Sequence, residues 1–363
     1  ILNEKVPYLK SLKLEPHEKS RYEYPEISEL SEPLLSHIEK AVKLVSFGEN
    51  GLLLIGGGDW NDALDEVGDE KRGESVWLSM LYIIVMQKIS RLYTGDSLRS
   101  INDIIRKTAD AVEKQFYKDR YARLITKDGV TLGIPGAKIE IDLISQAFSS
   151  LCEVCDKEKV NKALDTAYKY LVDKDERLVK LLSPPVTEGL GYIATYPKGV
   201  RENGGQYTHG AVWFALSLLN EKREDEAYEI LSMINPVSKC KDAEMSLRYM
   251  NEPFVLSADV YTSSAMYGRG GWSWYTGSAA WYYHTVIKLF GISVKERKVK
   301  IDFVLPKALD GSKVTIRAYG GKLILSFKKA GEKGIIIDGV RLSGIDFIEL
   351  KDGKELEALI LCE

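Results

Sequence analysis

The residues best suited to chemistry lie together in Asp59-Trp60-Asn61-Asp62, directly after three consecutive glycines. The flat face of the Trp60 indole is suited to stacking against the C–H face of a sugar ring. Asp59 and Asp62 are three residues apart, so a helical turn opening at Trp60 would project both carboxyl groups to one side. A buried carboxyl group of raised pKa beside an ionised one can protonate a glycosidic oxygen near neutral pH. The structural alternative is a glycine loop with an N-capping aspartate and a core tryptophan.

Three further loop motifs each lead into a predicted helix: RGESVW at 72–77, RENGGQYTH at 201–209 and GRGGWSWYTGS at 268–278. Free backbone N–H groups and the helix dipole favour an anion at such helix starts. Arg72 would add bidentate contacts to that anion, and His209 a further donor. Together the motifs predict a phosphate pocket opposite a protonating carboxyl group. The alternative is that Arg72 forms a surface ion pair, His209 is a satisfied loop histidine, and the helix starts are ordinary N-caps at Ser75, Thr208 and Thr276.

Composition excludes several classes of function. The chain has 363 residues, a formal net charge of −3, 45% hydrophobic and 28% charged residues. This balance gives no electrostatic basis for binding nucleic acid or an anionic membrane. No apolar run approaches the roughly 20 residues of a membrane span, and no signal peptide is visible. We therefore predict a globular protein of the cytoplasm, with no nucleic-acid or membrane partner.

The cysteines do not predict a metal site. Cys152 and Cys155 are spaced as a CxxC, but they fall within a helical pattern, and no second pair or nearby histidine completes a zinc site. Buried, reduced cysteines in a cytoplasmic protein are the better interpretation. No metal and no organic cofactor is expected.

Apolar residues recur at helical spacing along most of the chain, after a polar, extended or loop-like entry over residues 1–27. The predicted helices are 27–47, 75–93, 97–118, 139–153, 159–172, 209–220, 223–233 and 275–290. They come in pairs, separated by long loops that carry the aromatic and polar residues. From Lys298 the period changes to two, with turns at Gly320-Gly321, Gly331 and Gly339.

This order predicts a mainly α protein in two domains. Residues 1–297 are expected to be part of an (α/α)6-toroid-type helical barrel, whose loops gather at one rim. About eight helices are roughly four short of a closed ring of twelve, so an N-terminal part of the barrel is expected to be missing. Residues 298–363 are expected to form a small antiparallel β-domain.

The chain resembles the cellobiose phosphorylase family of inverting glycoside phosphorylases, glycoside hydrolase family 94. Within it, the likeness is greatest to the phosphorylase portion of cyclic β-1,2-glucan synthases and to β-1,2-oligoglucan phosphorylases. The resemblance covers nearly the whole chain in order. It is carried by GGGDWNDALDEVGDEKRGESVW, KIEIDLISQAF, LLSPP, YPKGVRENGGQYTHGAVW, NEPFVLSADVY, GRGGWSWYTGSAAWYYH and IDFVLPKALDGSKV.

The resemblance implies roles for individual residues. The second aspartate of DWND is the family's general acid, which corresponds to Asp62. Trp60 of the same motif corresponds to a residue that lines the site of the transferred sugar. Glu202 falls where the family contacts the acceptor sugar, and Asp59, Gln206 and Tyr207 are expected to contact substrate as well. The residues expected to bind phosphate are Arg72, His209, Thr276 and Gly277.

The implied reaction is phosphorolysis of a β-linked gluco-oligosaccharide, β-1,2-glucan by preference, or the reverse synthesis. Phosphate is already an anionic nucleophile, so one carboxylic acid suffices while phosphate attacks the anomeric carbon from the opposite face. The product would be α-D-glucose 1-phosphate, with inorganic phosphate as co-substrate. Two alternatives remain: an inverting hydrolase with Asp62 as acid and Glu202 as base, or a carbohydrate-binding or structural subunit that is inactive alone.

The resemblance also implies partners. The family carries a large N-terminal β-sandwich and the opening helices of the ring, and the chain begins 58 residues before Asp59. We therefore expect an N-terminal portion, or a separate chain, to complete the barrel. A homodimer is a further expectation, because a partial ring would leave an apolar face exposed.

Overall fold

A computed structural model describes residues 1–15, 17–18, 21–274, 277–342, 344 and 346–363. The chain divides into two compact units, residues 1–47 and residues 48–363. All the cleft residues discussed below belong to the second unit. Its helices and its C-terminal sheets form one unit, and the predicted domain boundary at 297/298 stays a prediction.

The first unit pairs strands Lys5–Lys10 and Glu26–Pro33 antiparallel, followed by helix α1 (Leu34–Lys43). The prediction of a helix from residue 27 is therefore wrong for residues 27–33. Pro33 explains the difference, because proline disfavours helical backbone in the residue before it and cannot donate within a helix. The helix accordingly begins at the residue after Pro33.

The second unit contains the remaining helices that the structure describes. They are α2 (Val76–Ser90), α3 (Gly95–Glu113), α4 (Leu143–Leu151), α5 (Lys157–Leu171), α6 (Thr208–Asn220), α7 (Glu224–Ile234), α8 (Pro236–Lys239), α9 (Ala243–Tyr249) and α10 (Ser278–Leu289). Short 3₁₀ turns occupy Tyr192–Thr195 and Lys307–Leu309. The seven helices predicted from residue 75 onward are confirmed within a few residues at each end; Tyr275, where the last was expected to begin, lies outside the described residues.

These helices pack in two rows. Helices α2, α4, α6 and α10 pack side by side, while α3, α5 and α7 each pack behind α2, α4 and α6 respectively. Two helices of the inner row are almost entirely buried: all but one residue of α4 and ten of the thirteen in α6. An apolar helix surrounded by neighbours is buried on all sides, which accounts for this composition. Closure of the rows into a ring stays a prediction.

Each inner helix begins with a buried polar residue: Ser75, Asp142, Thr208 and Ser278. The first two cap their helices, with Ser75 accepting from the Leu78 N–H at 3.0 Å and Asp142 from the Ile144 N–H at 3.0 Å. Strands of two residues run into three of these helix starts, at Glu74–Ser75, Ile141–Asp142 and Gln206–Tyr207; the first lies in a four-stranded sheet and the other two in two-stranded sheets. Glu74–Ser75 pairs with Leu53–Leu54 on one side and Leu124–Ile125 on the other. Ile141–Asp142 pairs with Leu182–Ser183, and Gln206–Tyr207 pairs with Asp259–Val260. These ladders fix where the loops enter the helices.

The C-terminal segment forms two sheets around a separate apolar cluster. A three-stranded antiparallel sheet contains Ile292–Lys295, Lys298–Ile301 and Phe347–Glu349. A five-stranded sheet has the order Lys313–Ala318, Gly321–Lys329, Glu355–Cys362, Gly334–Ile337 and Val340–Leu342. Alternate residues of Gly321–Lys329 are buried, as the period of two predicts. One pairing differs from the expected antiparallel pattern: Gly321–Lys329 and Glu355–Cys362 run parallel, which a long connection through the other strands permits.

The four cysteines are free, and Cys152 and Cys155 are both buried with their sulfurs 3.6 Å apart. No helix in the described part of the chain combines the length and apolar character needed to cross a membrane.

Candidate active site

A cleft of about 620 Å³ opens where the loop that carries Asp62 meets the segments before α6 and α10. Its walls come from four stretches that are far apart in the sequence. They contribute the lining residues Asp59, Trp60, Asp62, Arg201, Glu202, Tyr207, His209, Ala258, Trp274 and Gly277. Most of the residues that the sequence marked for chemistry therefore border one space.

Asp59 holds its loop in place through buried contacts within the protein. Its fully buried carboxylate is paired with fully buried Arg123, with Nη2–Oδ1 at 2.6 Å and Nη1–Oδ2 at 2.7 Å. The Ser75 hydroxyl donates to Oδ2 at 2.7 Å, and the Asn61 N–H donates to Oδ1 at 3.0 Å. Burial alone would raise the pKa of Asp59, but the charge and hydrogen bonds of Arg123 hold it below the usual value.

The structure thus gives Asp59 a different place from the expected substrate contact. Only its backbone borders the cleft, because its carboxylate is taken up by Arg123 and by the N-cap residue of α2. The expected helical turn at Trp60 is also absent, since Trp60 lies in a bend and only residues 62–63 form a turn. Gly58 explains part of this geometry: its φ of +121° favours glycine, and a Cβ there would lie 3.0 Å from the Asp62 Cα.

Arg123 also binds a second buried carboxylate, with its Nε 3.4 Å from Asp142 Oδ2. Burial raises the pKa of Asp142 to about 6, against the opposing effect of Arg123. Two acidic residues therefore share one guanidinium, and this triad ties the 59–62 loop to the starts of α2 and α4. Sequence reasoning missed Arg123, although a charged residue between the apolar neighbours Ala122 and Leu124 signals a buried partner.

Trp60 lies in a cluster of aromatic rings at the cleft wall. Its ring centroid is 5.0 Å from that of Tyr207, 5.8 Å from that of His209 and 5.5 Å from that of Trp213. The first two contacts are edge-to-face, a favourable arrangement for aromatic pairs. Trp60 is partly buried and lines the cleft, so it contributes both to packing and to the surface that a ligand would meet.

Asp62 is exposed and lines the cleft. The hydroxyl of Tyr192 lies nearby, and the pKa of this phenol is raised by burial and by the Asp62 carboxylate. Tyr192 stands at the start of the 3₁₀ turn at 192–195, and its N–H is held by Asp65 at 3.0 Å. Tyr192 is therefore a neighbour of this carboxyl group. Tyr192 was not identified from the sequence.

Glu202 is nearly fully buried and borders the same cleft. Burial raises its pKa, and the nearby charge of Asp62 raises it further, while Arg201 opposes the shift. The Arg201 Nε lies 3.3 Å from Glu202 Oε2, yet no described residue donates an aligned hydrogen bond to that oxygen. Arg201 has a φ of +51°, and its N–H donates to buried Asp259 at 3.1 Å. The left-handed backbone at Arg201 places consecutive charged side chains at the cleft wall.

His209 is the second residue of α6 and is held against Trp213, with ring centroids 4.2 Å apart. Burial lowers its pKa to about 4, so the imidazole is neutral at pH 7. Its Nε2 finds no hydrogen-bond partner among the described residues. Gly277, at the N-cap of α10, faces it: a Cβ at Gly277 would lie 3.7 Å from His209 Cε1. A neutral donor and a helix N-terminus therefore border the same part of the cleft, a combination suited to an oxyanion.

The other residues predicted to bind substrate or phosphate are Tyr207, Gln206, Arg72 and Thr276. Tyr207 lines the cleft. The side chain of Gln206 is buried against the protein, accepting from the Val179 N–H at 3.2 Å and donating to Thr208 at 3.4 Å. Arg72 does not line the cleft; its side chain is 63% exposed and paired with Asp69 at 3.1 Å, which is the surface ion pair of the alternative interpretation. Thr276 lies outside the described residues.

Within the described part of the chain, no group of three or more His, Cys, Asp or Glu side chains could hold a metal ion.

Comparison with known proteins places this arrangement in a family. The cyclic beta-(1,2)-glucan synthase NdvB of Rhizobium meliloti is 35% identical over 346 residues, which cover 92% of this chain and 12% of that protein. The solabiose phosphorylase of Paenibacillus borealis is 25% identical, covering 91% of this chain and 45% of that enzyme. The 1,2-beta-oligoglucan phosphorylase of Listeria innocua serovar 6a is 27% identical, covering 84% and 31% respectively.

The chain thus spans less than half the length of each of these relatives. Residues 11–290, which include the whole cleft, match the family described as the Glycosyl hydrolase 94 superfamily, catalytic domain. The chain belongs to this glycosyl hydrolase 94 superfamily.

Proposed function

We propose that this cleft carries out inverting phosphorolysis of a β-linked gluco-oligosaccharide, or the reverse synthesis, with α-D-glucose 1-phosphate as the phosphorylated sugar. The observation that carries the proposal is that Asp62 lines the same cleft as His209 and Gly277. The carboxyl group of Asp62, together with a neutral donor beside a helix N-terminus, supplies the two things the reaction needs. These are a proton for the leaving oxygen and a site for the phosphate.

In the proposed step, a phosphate oxygen forms a bond to the anomeric carbon while the bond from that carbon to the glycosidic oxygen breaks. The proton of Asp62 moves to the departing oxygen, leaving a carboxylate and a free hydroxyl on the shortened acceptor. The configuration at the anomeric carbon inverts, because attack and departure occur on opposite faces. Asp62 is reprotonated from solvent before the next turnover.

The other lining residues have supporting roles in this proposal. The Trp60 face stacks on the transferred glucose, and Glu202 accepts hydrogen bonds from the acceptor sugar. His209, Gly277 and the N–H groups at the start of α10 donate to phosphate, and Thr276 is proposed to bind it as well. Asp59 acts through Arg123 as a positioning residue.

A β-1,2-linked gluco-oligosaccharide is the substrate that we favour. Support comes from two relatives, a cyclic beta-(1,2)-glucan synthase and a 1,2-beta-oligoglucan phosphorylase, which match 92% and 84% of this chain. The solabiose phosphorylase, at 25% identity, represents another specificity on a related chain. An assay with oligosaccharides of different linkage is therefore needed to determine which linkage this cleft accepts.

The test uses the full polypeptide that carries these residues, incubated with phosphate and with sophorose, laminaribiose or cellobiose oligomers. We expect release of glucose 1-phosphate from the β-1,2-linked series, with the α anomer as the first-formed product in proton NMR spectra. Release of free glucose at the same rate without phosphate would contradict the proposal and favour the inverting hydrolase, with Glu202 as its base. Binding of oligosaccharide without any turnover in either condition would favour a carbohydrate-binding subunit.

A further inference from the structure

Three large aromatic side chains, Phe254, Trp272 and Trp274, are exposed beside the cleft; we call them the aromatic shelf. Their exposed fractions are 70%, 57% and 73% respectively. Exposing large aromatic rings to water costs free energy, and a group of exposed rings is typical of a ligand-binding surface.

The shelf is held in place by contacts within the protein. The Trp274 indole N–H donates to Glu252 Oε1 at 2.7 Å, and its ring packs edge-to-face on Phe254 with centroids 6.2 Å apart. The Arg201 guanidinium lies over the Trp272 ring at 5.7 Å. The backbone carbonyl of Trp272 accepts from the Ala258 N–H at 2.7 Å. Rings fixed in this way lose little conformational entropy when a ligand stacks on them.

The shelf is continuous with the cleft. Trp274 itself lines the cleft, and so do Ala258 and Arg201, which contact Trp272. Arg201 is also the immediate neighbour of Glu202, the residue proposed above to contact the acceptor sugar. Arg201 therefore links the cleft residue Glu202 to the Trp272 ring of the shelf.

The chemistry of the shelf fits a sugar chain. Pyranose rings present flat C–H faces to aromatic rings and hydroxyl groups at their edges. The shelf offers ring faces flanked by a carboxylate at Glu252 and a guanidinium at Arg201, which can hydrogen-bond those hydroxyl groups.

We propose that the aromatic shelf binds glucose residues of the acceptor chain beyond the one next to the scissile bond, and so makes the enzyme select oligosaccharides over disaccharides. This inference rests on the proposed function for the direction of the chain. The occupant it names is a β-linked gluco-oligosaccharide.

The first experiment measures kcat/KM for phosphorolysis of a disaccharide and a pentasaccharide of the same linkage. Phe254→Ala and Trp272→Ala each should lower the pentasaccharide value by about three- to tenfold, as loss of one stacking partner implies. The disaccharide value should stay within the error of the parent. Tyr319→Ala is the matched control, because Tyr319 is a half-exposed aromatic residue of the C-terminal segment that does not line the cleft. Equal losses on both substrates would overturn the inference.

A second experiment separates this inference from the proposed reaction. Isothermal titration of the Asp62→Asn protein, without phosphate, measures affinity for oligosaccharides of two to seven units. Affinity should rise with length in this protein, and the rise should disappear when Phe254→Ala is added. Length-dependent binding without phosphorolysis by the parent would retain the shelf and reject the reaction. Phosphorolysis with affinity independent of length, or a Phe254-dependent dimer instead, would reject the shelf.

Discussion

His209 shows how burial shapes the chemistry of a single residue. A surface histidine is partly protonated at pH 7, but this one packs against Trp213 and its pKa falls to about 4. The neutral ring can donate one hydrogen bond to a phosphate oxygen without carrying charge. The start of α10 contributes positive potential at that end of the cleft.

His209→Ala should therefore weaken phosphate binding more than sugar binding. Loss of a hydrogen bond to a charged oxygen predicts a rise of about ten- to a hundredfold in KM for phosphate. Steady-state kinetics with each substrate varied in turn measure both KM values. The control is His284→Ala, a substitution at an exposed histidine within α10. Comparable increases in the KM values for phosphate and oligosaccharide would count against this anion site.

At the scale of elements, the inner helices matter because their starts converge on the cleft. The Asp59–Arg123–Asp142 triad joins the loop that carries Asp62 to the N-caps of α2 and α4. Removing one member of a buried ionic group leaves the others buried without compensation. The triad is therefore expected to be important for both stability and loop position.

Arg123→Met should lower the free energy of unfolding by about 3–5 kcal/mol, because it strands two buried carboxylates. The same substitution at the exposed pair, Arg72→Met, should cost about 0–1 kcal/mol. Urea unfolding followed by circular dichroism measures both, and Arg123→Lys serves as a milder variant if the first does not fold. Equal, small effects at the two arginines would show that the triad does not stabilise the protein.

The elements were largely predictable from the sequence. Periodicity located seven helices because their apolar faces are long and regular, and the period of two located the C-terminal strands. It failed at residues 27–33, where Pro33 and pairing with Lys5–Lys10 override a helical pattern. The parallel pairing of Gly321–Lys329 with Glu355–Cys362 was not predictable, since alternation does not encode the direction of a partner strand.

At the scale of the whole molecule, the cleft assembles residues separated by more than 200 positions, from Asp59 to Gly277. Local motifs and family resemblance identified Trp60, Asp62, Glu202, Tyr207, His209 and Gly277, all of which line it. They could not reveal that the Asp59 carboxylate turns toward Arg123, 64 residues away, or that Arg72 pairs with Asp69 on the surface. Such choices depend on long-range packing, which short spacing does not report.

The central claim is that Asp62 supplies the proton to the leaving oxygen. It is tested most directly by comparing Asp62→Asn with the parent on two substrates, a β-linked gluco-oligosaccharide and dinitrophenyl β-glucoside, both with phosphate. Dinitrophenolate leaves without protonation, so only the oligosaccharide reaction needs the acid. Glu66→Gln, at an exposed carboxylate of the same loop, is the control.

We predict that Asp62→Asn loses about 10²–10⁴-fold of kcat on the oligosaccharide, the usual contribution of general acid catalysis, and far less on the dinitrophenyl glucoside. Near-full activity of Asp62→Asn on the oligosaccharide would contradict the account.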